Sequence, residues 1–171
     1  DPHDSAGGRP SPAGRPGRIG RRARATLAGR AGAEVTTIER GFGEIFTAEE
    51  IAEVVQRVSP KVVGIVHAET STGAWQPLEE ITKIVHDAGG LLLAVCVTSL
   101  AGVPVEVDNW GLDAVYSGTQ KCLGCPPGLA PVTFGPRAVE VIDNRQSKVA
   151  SWYLDMTMVS NYWGHDRTYH H

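Results

Sequence analysis

Residues 60–97 read PKVVGIVHAETSTGAWQPLEEITKIVHDAGGLLLAVCV, and this stretch decides the fold class. Its first element, Val62-Val63-Gly64-Ile65-Val66-His67, is almost continuously apolar, the pattern of a strand buried on both faces. Leu78, Ile81, Ile84 and Val85 then recur at helical spacing up to Gly89-Gly90. A second buried-type run, Leu91 to Val97, follows directly. Strands alternating with helices of ~10 residues imply right-handed crossovers and a mostly parallel sheet.

The same alternation extends outward on both sides. Upstream, Glu34-Val35-Thr36-Thr37-Ile38 is short and β-branched and predicts a strand. Thr47-Ala48-Glu49-Glu50 is a capping box with Thr47 as N-cap and Glu50 at the third helical position. Behind it, Ile51, Val54, Val55 and Val58 predict an amphipathic helix over 48–58, which Pro60 stops. Downstream, Asp113 to Ser117 and Leu129 to Phe134 read as strands. Pro136 then opens a helix running through Val139, Val141 and Ile142. The class is α/β: a mostly parallel sheet with flanking helices.

Composition sets the outer bounds. At 171 residues and 18.2 kDa the chain amounts to about one domain. With 42% apolar and 20% charged residues it is neither wholly disordered nor membrane-spanning. Its longest apolar run, Leu91–Val97, falls far short of the ~20 residues a bilayer-crossing helix needs. A net charge of −3 gives no sign of a nucleic-acid partner. That total hides an asymmetry, because residues 1–33 hold seven arginines (Arg9, Arg15, Arg18, Arg21, Arg22, Arg24 and Arg30) against Asp1 and Asp4. The segment also carries seven of the 20 glycines and four of the 11 prolines, and its only larger aliphatics are Ile19 and Leu27. Such a stretch buries too little apolar surface to offset its ordering entropy, so residues 1–33 are expected to be a disordered arm and 34–171 the folded domain. The arm has no aromatic residue to stack on bases and too much proline and glycine for an amphipathic transit peptide. Since the first residue is Asp1 and not methionine, a processed, fragmentary or altered N-terminus is the plainest reading.

In open α/β sheets ligands bind beyond the carboxyl ends of the strands. Three polar, small-residue segments fall there: His67 to Gly73, Val97-Thr98-Ser99, and Ser117-Gly118-Thr119-Gln120-Lys121. Lys121 is the sharpest candidate, since a lysine near apolar surroundings becomes a nucleophilic amine able to form Schiff bases. On spacing alone, a surface lysine on a loop is the commoner outcome. Cys122-Leu123-Gly124-Cys125 is a CxxC, and with His67-Ala68-Glu69 it loosely matches a zinc-deaminase signature. That signature expects proline directly before the first cysteine, where Lys121 stands, so no metal is assigned. Three cysteines, Cys96, Cys122 and Cys125, cannot pair evenly and point to reduced thiols and a cytoplasmic setting.

The wider string around Lys121 is more specific. Ala114-Val115-Tyr116-Ser117-Gly118-Thr119-Gln120-Lys121-Cys122-Leu123-Gly124-Cys125-Pro126-Pro127-Gly128 resembles the lysine segment of class V aminotransferases, in particular the alanine–glyoxylate and serine–pyruvate group. The resemblance also covers Val66 to Gly73, Gln76-Pro77-Leu78, Ser99-Leu100, Asp108 to Asp113 and Trp152-Tyr153-Leu154-Asp155. It continues through Asn161-Tyr162-Trp163-Gly164 to Tyr169-His170-His171, in order, over about residues 34–171. It implies part of the large domain of a fold-type-I enzyme dependent on pyridoxal 5′-phosphate. Lys121 would hold the cofactor as a Schiff base and shuttle the Cα proton, Gln120 would help bind its phosphate, and Thr70 would hydrogen-bond near its ring oxygen. The implied partners are a small amino-acid donor, a 2-oxo acid acceptor and a second copy of the chain in a homodimer.

One position departs from the family pattern. Where family members carry an aspartate that pairs with the protonated pyridine nitrogen, this chain has Val95 within Leu91-Leu92-Leu93-Ala94-Val95-Cys96. Asp87 and Asp108 lie elsewhere in the pattern and are not substitutes. A charge-assisted bond of this kind contributes ~1.5–3 kcal/mol, roughly one to two powers of ten in rate. The upstream phosphate loop and stacking aromatic of the family, and its C-terminal domain, have no counterpart here, so the chain resembles an interior piece of a longer enzyme. A catalytically impaired fragment of the same fold is the alternative reading. Cysteine desulfuration, a related chemistry, would need a cysteine loop beyond Cys125 that is not visible. Trp75, Trp110, Trp152 and Trp163 are expected to pack in the core or at a subunit interface.

Overall fold

The computed structural model describes residues 24–163. The chain divides into two compact units between Ile38 and Glu39. In the first unit, residues 24–30 form helix α1, within the segment expected to be a disordered arm. Ala25, Leu27, Ala28 and the flanking arginines are good helix formers, and the helix closes where Ala31 N–H reaches the Leu27 carbonyl at 3.0 Å. The expected strand at Glu34–Ile38 does not form, and none of the β-ladders includes it. A β-branched run holds a strand only when a neighbour pairs with it, and Val35 is instead exposed. The arginines from Arg9 to Arg22 and the Tyr169-His170-His171 motif lie outside the described residues.

The second unit starts its regular structure with α2, Ala48–Val58. Its capping box is complete: Glu50 N–H donates to Thr47 Oγ1 at 3.3 Å, and Thr47 N–H donates to Glu50 Oε2 at 3.0 Å. Ile51 and Val55 form its buried stripe. The helix ends where Ser59 adopts φ 46° and returns its N–H to the Val55 carbonyl at 2.8 Å. Strand β1, Val62–Val66, follows; then α3, Glu79–Asp87; then β2, Leu91–Val95. Strand β3 is Ala114–Tyr116, β4 is Val132–Phe134, and α4 is Pro136–Asp143 with its proline in the first turn. A 3₁₀ turn at Trp152–Leu154 and α5, Met156–Trp163, complete the described chain, and neither carries a periodic apolar stripe that announces it.

The sheet runs β1-β2-β3-β4. Strands β1, β2 and β3 are parallel, with Val66 opposite Val95 and Val95 opposite Tyr116. Strand β4 is antiparallel to β3, because residues 117–131 return as a wide hairpin with Ser117 N–H on the Pro131 carbonyl at 2.9 Å. In β2 one face, that of Leu92 and Ala94, is fully buried, whereas on the other Val95 is buried and Leu91 and Leu93 are half-buried; β1 is covered less. In β1 the first valine, Val62, is 55% exposed, as an outermost strand permits. Helix α2 packs on α3, and α3 on β2, so that Ile51, Val55, Leu78, Ile81, Val85 and Leu92 form the core. Each such side chain contributes about 1.5–3 kcal/mol by leaving water. Gly90 is required between α3 and β2, since a Cβ there would lie 2.8 Å from the Pro60 carbonyl oxygen. Three parallel strands thus deliver their carboxyl ends, and the loops that follow, to one edge of the sheet.

Candidate active site

The loop after β1 is a small hairpin. Gln76 N–H donates to the His67 carbonyl at 2.8 Å and Glu69 N–H to the Ala74 carbonyl at 2.9 Å, with Ala68 bridged to Trp75. Its tip turns through Gly73 at φ 74°, a left-handed conformation that favours glycine. The hairpin's base is anchored by buried Gln76, whose Oε1 accepts Phe46 N–H at 2.8 Å and whose Nε2 donates to the Phe46 carbonyl at 3.0 Å. The chain beyond β2 coils back, with Leu100 N–H on the Cys96 carbonyl at 3.0 Å. Past β3, Cys125 N–H donates to the Thr119 carbonyl and Gly124 N–H to the Lys121 carbonyl, both at 2.9 Å.

Side chains join these three loops. Thr70 Oγ1 and Thr98 Oγ1 lie 2.6 Å apart, linking the first loop to the second. The Cys122 thiol donates to the Thr98 carbonyl at 2.9 Å, linking the third loop to the second. Ser117 Oγ donates to the Cys96 carbonyl at 3.1 Å beneath them. Lys121 and Gln120, both exposed, immediately precede Cys122, so Thr70, Gln120 and Lys121 stand on loops that meet at a single sheet edge. Their chemistry is an amine, an amide and a hydroxyl: a nucleophile with two groups that hydrogen-bond anionic or phenolic oxygen. Val95 ends β2 at the same edge, 6% exposed and apolar.

A histidine beneath this edge escaped the sequence reading as a structural centre. His67 is fully buried; its Nε2 accepts Trp75 Nε1–H at 2.6 Å and its Nδ1 lies 2.9 Å from Ser99 Oγ. Burial holds its pKa below the ordinary value, so the ring is neutral. Cys96, also buried, has its thiol pKa pushed up by the same cause, against a hydrogen bond from Ser99 that acts the other way. Trp75 and Trp110 stand edge-on to the imidazole. Of the tryptophans expected in the core or at a subunit interface, Trp75 is 49% and Trp152 59% exposed and so not in the core, and the Trp163 side chain lies outside the described residues. The one signal for His67 in the sequence is its place directly after an apolar run. Its partners 8 and 32 positions away carry no periodic mark.

The zinc-deaminase pattern finds no geometry here. Both His67 nitrogens are engaged within the protein, and the Cys122 and Cys125 thiols point to different carbonyls, those of Thr98 and Leu123. Among the described residues no group of three His, Cys, Asp or Glu side chains is placed to hold a metal ion. Nor is any helix among them long and apolar enough to cross a membrane.

Comparison with known proteins agrees with the fold. The chain is 34% identical over 163 residues to the (S)-ureidoglycine–glyoxylate transaminase of Bacillus subtilis, covering 85% of this chain and 39% of that protein. It is 38% identical over 150 residues to the alanine–glyoxylate aminotransferase of Rattus norvegicus, covering 86% of this chain and 36% of that one. The crystal structure of an alanine–glyoxylate aminotransferase from Nostoc sp. superposes with a TM-score of 0.84 at 48% identity, over 90% of this chain and 40% of that chain. The chain thus spans well under half the length of the relatives it matches. The family model for class-V aminotransferases matches residues 21–164, which takes in every described element from α1 to α5. On the match, the fold and these relatives together, the chain belongs to the class-V aminotransferase family.

Proposed function

We propose that this chain carries the cofactor-binding lysine of an aminotransferase that moves an amino group from a small amino acid, of the alanine or serine type, to glyoxylate or pyruvate. The observation that carries the proposal is the convergence of Thr70, Gln120 and Lys121 on one edge of a parallel sheet, through the Thr70–Thr98 and Cys122–Thr98 links. The relatives, whose names specify glyoxylate as acceptor, support the substrate class.

The donor set fits pyridoxal 5′-phosphate on two of its sides. Lys121 is an exposed primary amine suited to an aldehyde, Gln120 an amide donor suited to a phosphate, and Thr70 a hydroxyl suited to a ring oxygen. When bound, the cofactor supplies an electron sink for the substrate's Cα carbanion. Lys121 would hold that group and, once free, would carry the Cα proton on Nζ between its removal and its return. Gln120 and Thr70 fix orientation, so that the reacting bond stays aligned without a search in each turnover. Val95, where the family resemblance expects an aspartate for the ring nitrogen, offers no charge and no acceptor, so that side of the cofactor would go unsupported there.

That apolar end to β2 favours a second reading, a chain of the same fold with strongly reduced or no transaminase activity. A homodimer and a cytoplasmic location complete the proposal. Exposed apolar side chains along β4 and α4 (Val132, Val139 and Val141) support the first, and three free cysteines the second. The test is to record the visible spectrum of the chain with pyridoxal 5′-phosphate before and after borohydride, beside Lys121→Ala. A band present in the wild type and absent in the variant supports the reading. Identical spectra overturn it.

A further inference from the structure

His67 is fully buried just past the carboxyl end of β1, where bulk water cannot satisfy its ring. Both of its nitrogens are nevertheless committed. The Trp75 indole N–H can only donate, so Nε2 must present its lone pair and the ring proton must sit on Nδ1. Nδ1–H then donates to Ser99 Oγ at 2.9 Å, with Cys96 Sγ a looser neighbour at 3.9 Å. A second proton on the ring would set N–H against N–H at Trp75. Trp75 and Trp110 close the pocket edge-on, their ring centroids 6.0 and 5.6 Å from that of the imidazole.

These two bonds act on different loops. The bond to Trp75 ties the far arm of the hairpin to its own base, since His67 and Trp75 flank the tip that bears Thr70. The bond to Ser99 ties that base to the turn after β2, in which Thr98 is the preceding residue. With both ends restrained by one buried ring, the Thr70 and Thr98 hydroxyls are brought to 2.6 Å although Thr70 is exposed and Thr98 only half-buried, so that water competes for the contact. We infer that His67 is the positioning residue of the candidate site: as a neutral imidazole protonated on Nδ1, it pins the Thr70 hairpin against the Thr98-Ser99 turn and holds the Thr70 hydroxyl ready for a ligand's polar group. The role of Thr70 toward pyridoxal phosphate rests on the proposed function; the pinning does not.

The test is NMR of the full chain with labelled histidine nitrogens and threonine methyls. The wild type should show the Nδ1–H tautomer at His67 and single, sharp methyl resonances for Thr70 and Thr98. In His67→Leu both methyl resonances should shift and broaden while those of distant threonines stay in place. His67→Gln, whose amide supplies one acceptor and one donor, should restore them. Trp75→Phe and Ser99→Ala remove one bond each while keeping the imidazole, and should each produce part of the change; they carry the test where His67→Leu does not fold. Pyridoxal 5′-phosphate should bind His67→Leu about tenfold more weakly, as expected for one hydrogen bond lost from its place, and His67→Gln nearly as well as wild type. An Nε2–H tautomer, or unchanged Thr70 and Thr98 resonances in folded His67→Leu, Trp75→Phe and Ser99→Ala, overturns the inference. Methyl shifts that follow His67 in a protein without Lys121-dependent cofactor uptake uphold the pinning and count against the proposed function alone.

Discussion

The Asp113 carboxylate accepts the backbone N–H of Leu92 at 2.7 Å, at the end of the sheet opposite the candidate site. The same oxygen lies 2.8 Å from His86 Nε2, and Arg137 Nε approaches the other at 3.4 Å. One 2%-exposed carboxylate therefore gathers the start of β2, the last turn of α3 and the first turn of α4. Asp113→Ala leaves the buried Leu92 N–H unpaired and is expected to cost about 2–3 kcal/mol in urea unfolding. Asp113→Asn, which keeps an acceptor, should cost about half as much.

The buried His67 gives stability a pH dependence with a definite sign. Its folded pKa lies below the ordinary 6.5, because burial disfavours the cation. As pH falls through about 6.5 the unfolded chain takes up a proton here that the folded chain refuses. Stability contributed by this residue is therefore full above that pH and declines on acidification, by up to ~1.4 kcal/mol per pH unit. Denaturant unfolding of wild type and His67→Gln between pH 8 and pH 5 should show the steeper decline in wild type. Parallel curves contradict a neutral buried imidazole.

The three thiols should separate by reactivity. Cys96 is buried with its pKa raised, whereas Cys122 and Cys125 are exposed. A colorimetric thiol reagent should titrate two cysteines in the native protein and the third only in denaturant. Rapid reaction of all three contradicts the burial of Cys96.

Val95 invites the reverse substitution. An unpaired carboxylate at a 6%-exposed position is costly, so Val95→Asp should lower the melting temperature of the cofactor-free chain. If position 95 faces the cofactor's ring nitrogen, the added charge-assisted bond contributes ~1.5–3 kcal/mol once pyridoxal 5′-phosphate is present. The variant should then gain more in melting temperature from the cofactor than wild type does. Equal gains contradict that placement.

Local signals in the chain translate directly into structure. The Thr47/Glu50 capping box, the stripe of Ile51 and Val55, and the run from Leu91 to Val97, whose strand ends at Val95, each form the expected element, because each depends on neighbours within a few positions. Propensity without a partner fails, as at Val35–Ile38, and so does compositional bias where a short helix-forming stretch such as 24–30 interrupts it. The antiparallel sense of β4 depends on how residues 117–131 fold back, which no periodicity encodes. The site divides in the same way. Lys121, Gln120 and Thr70 could be named from motifs, whereas the 32-residue separation between His67 and Ser99 and the 21-residue one between Asp113 and Leu92 are tertiary facts.

The proposed attachment point for the cofactor is one atom, Lys121 Nζ. Reducing the chain with borohydride in the presence of pyridoxal 5′-phosphate, digesting it and mapping the pyridoxyl label by mass spectrometry reads that atom directly. Stoichiometric label on the peptide containing Lys121, and none on those containing Lys61, Lys83 or Lys148, is the predicted result. Label scattered over the lysines, or unchanged in Lys121→Ala, would contradict it.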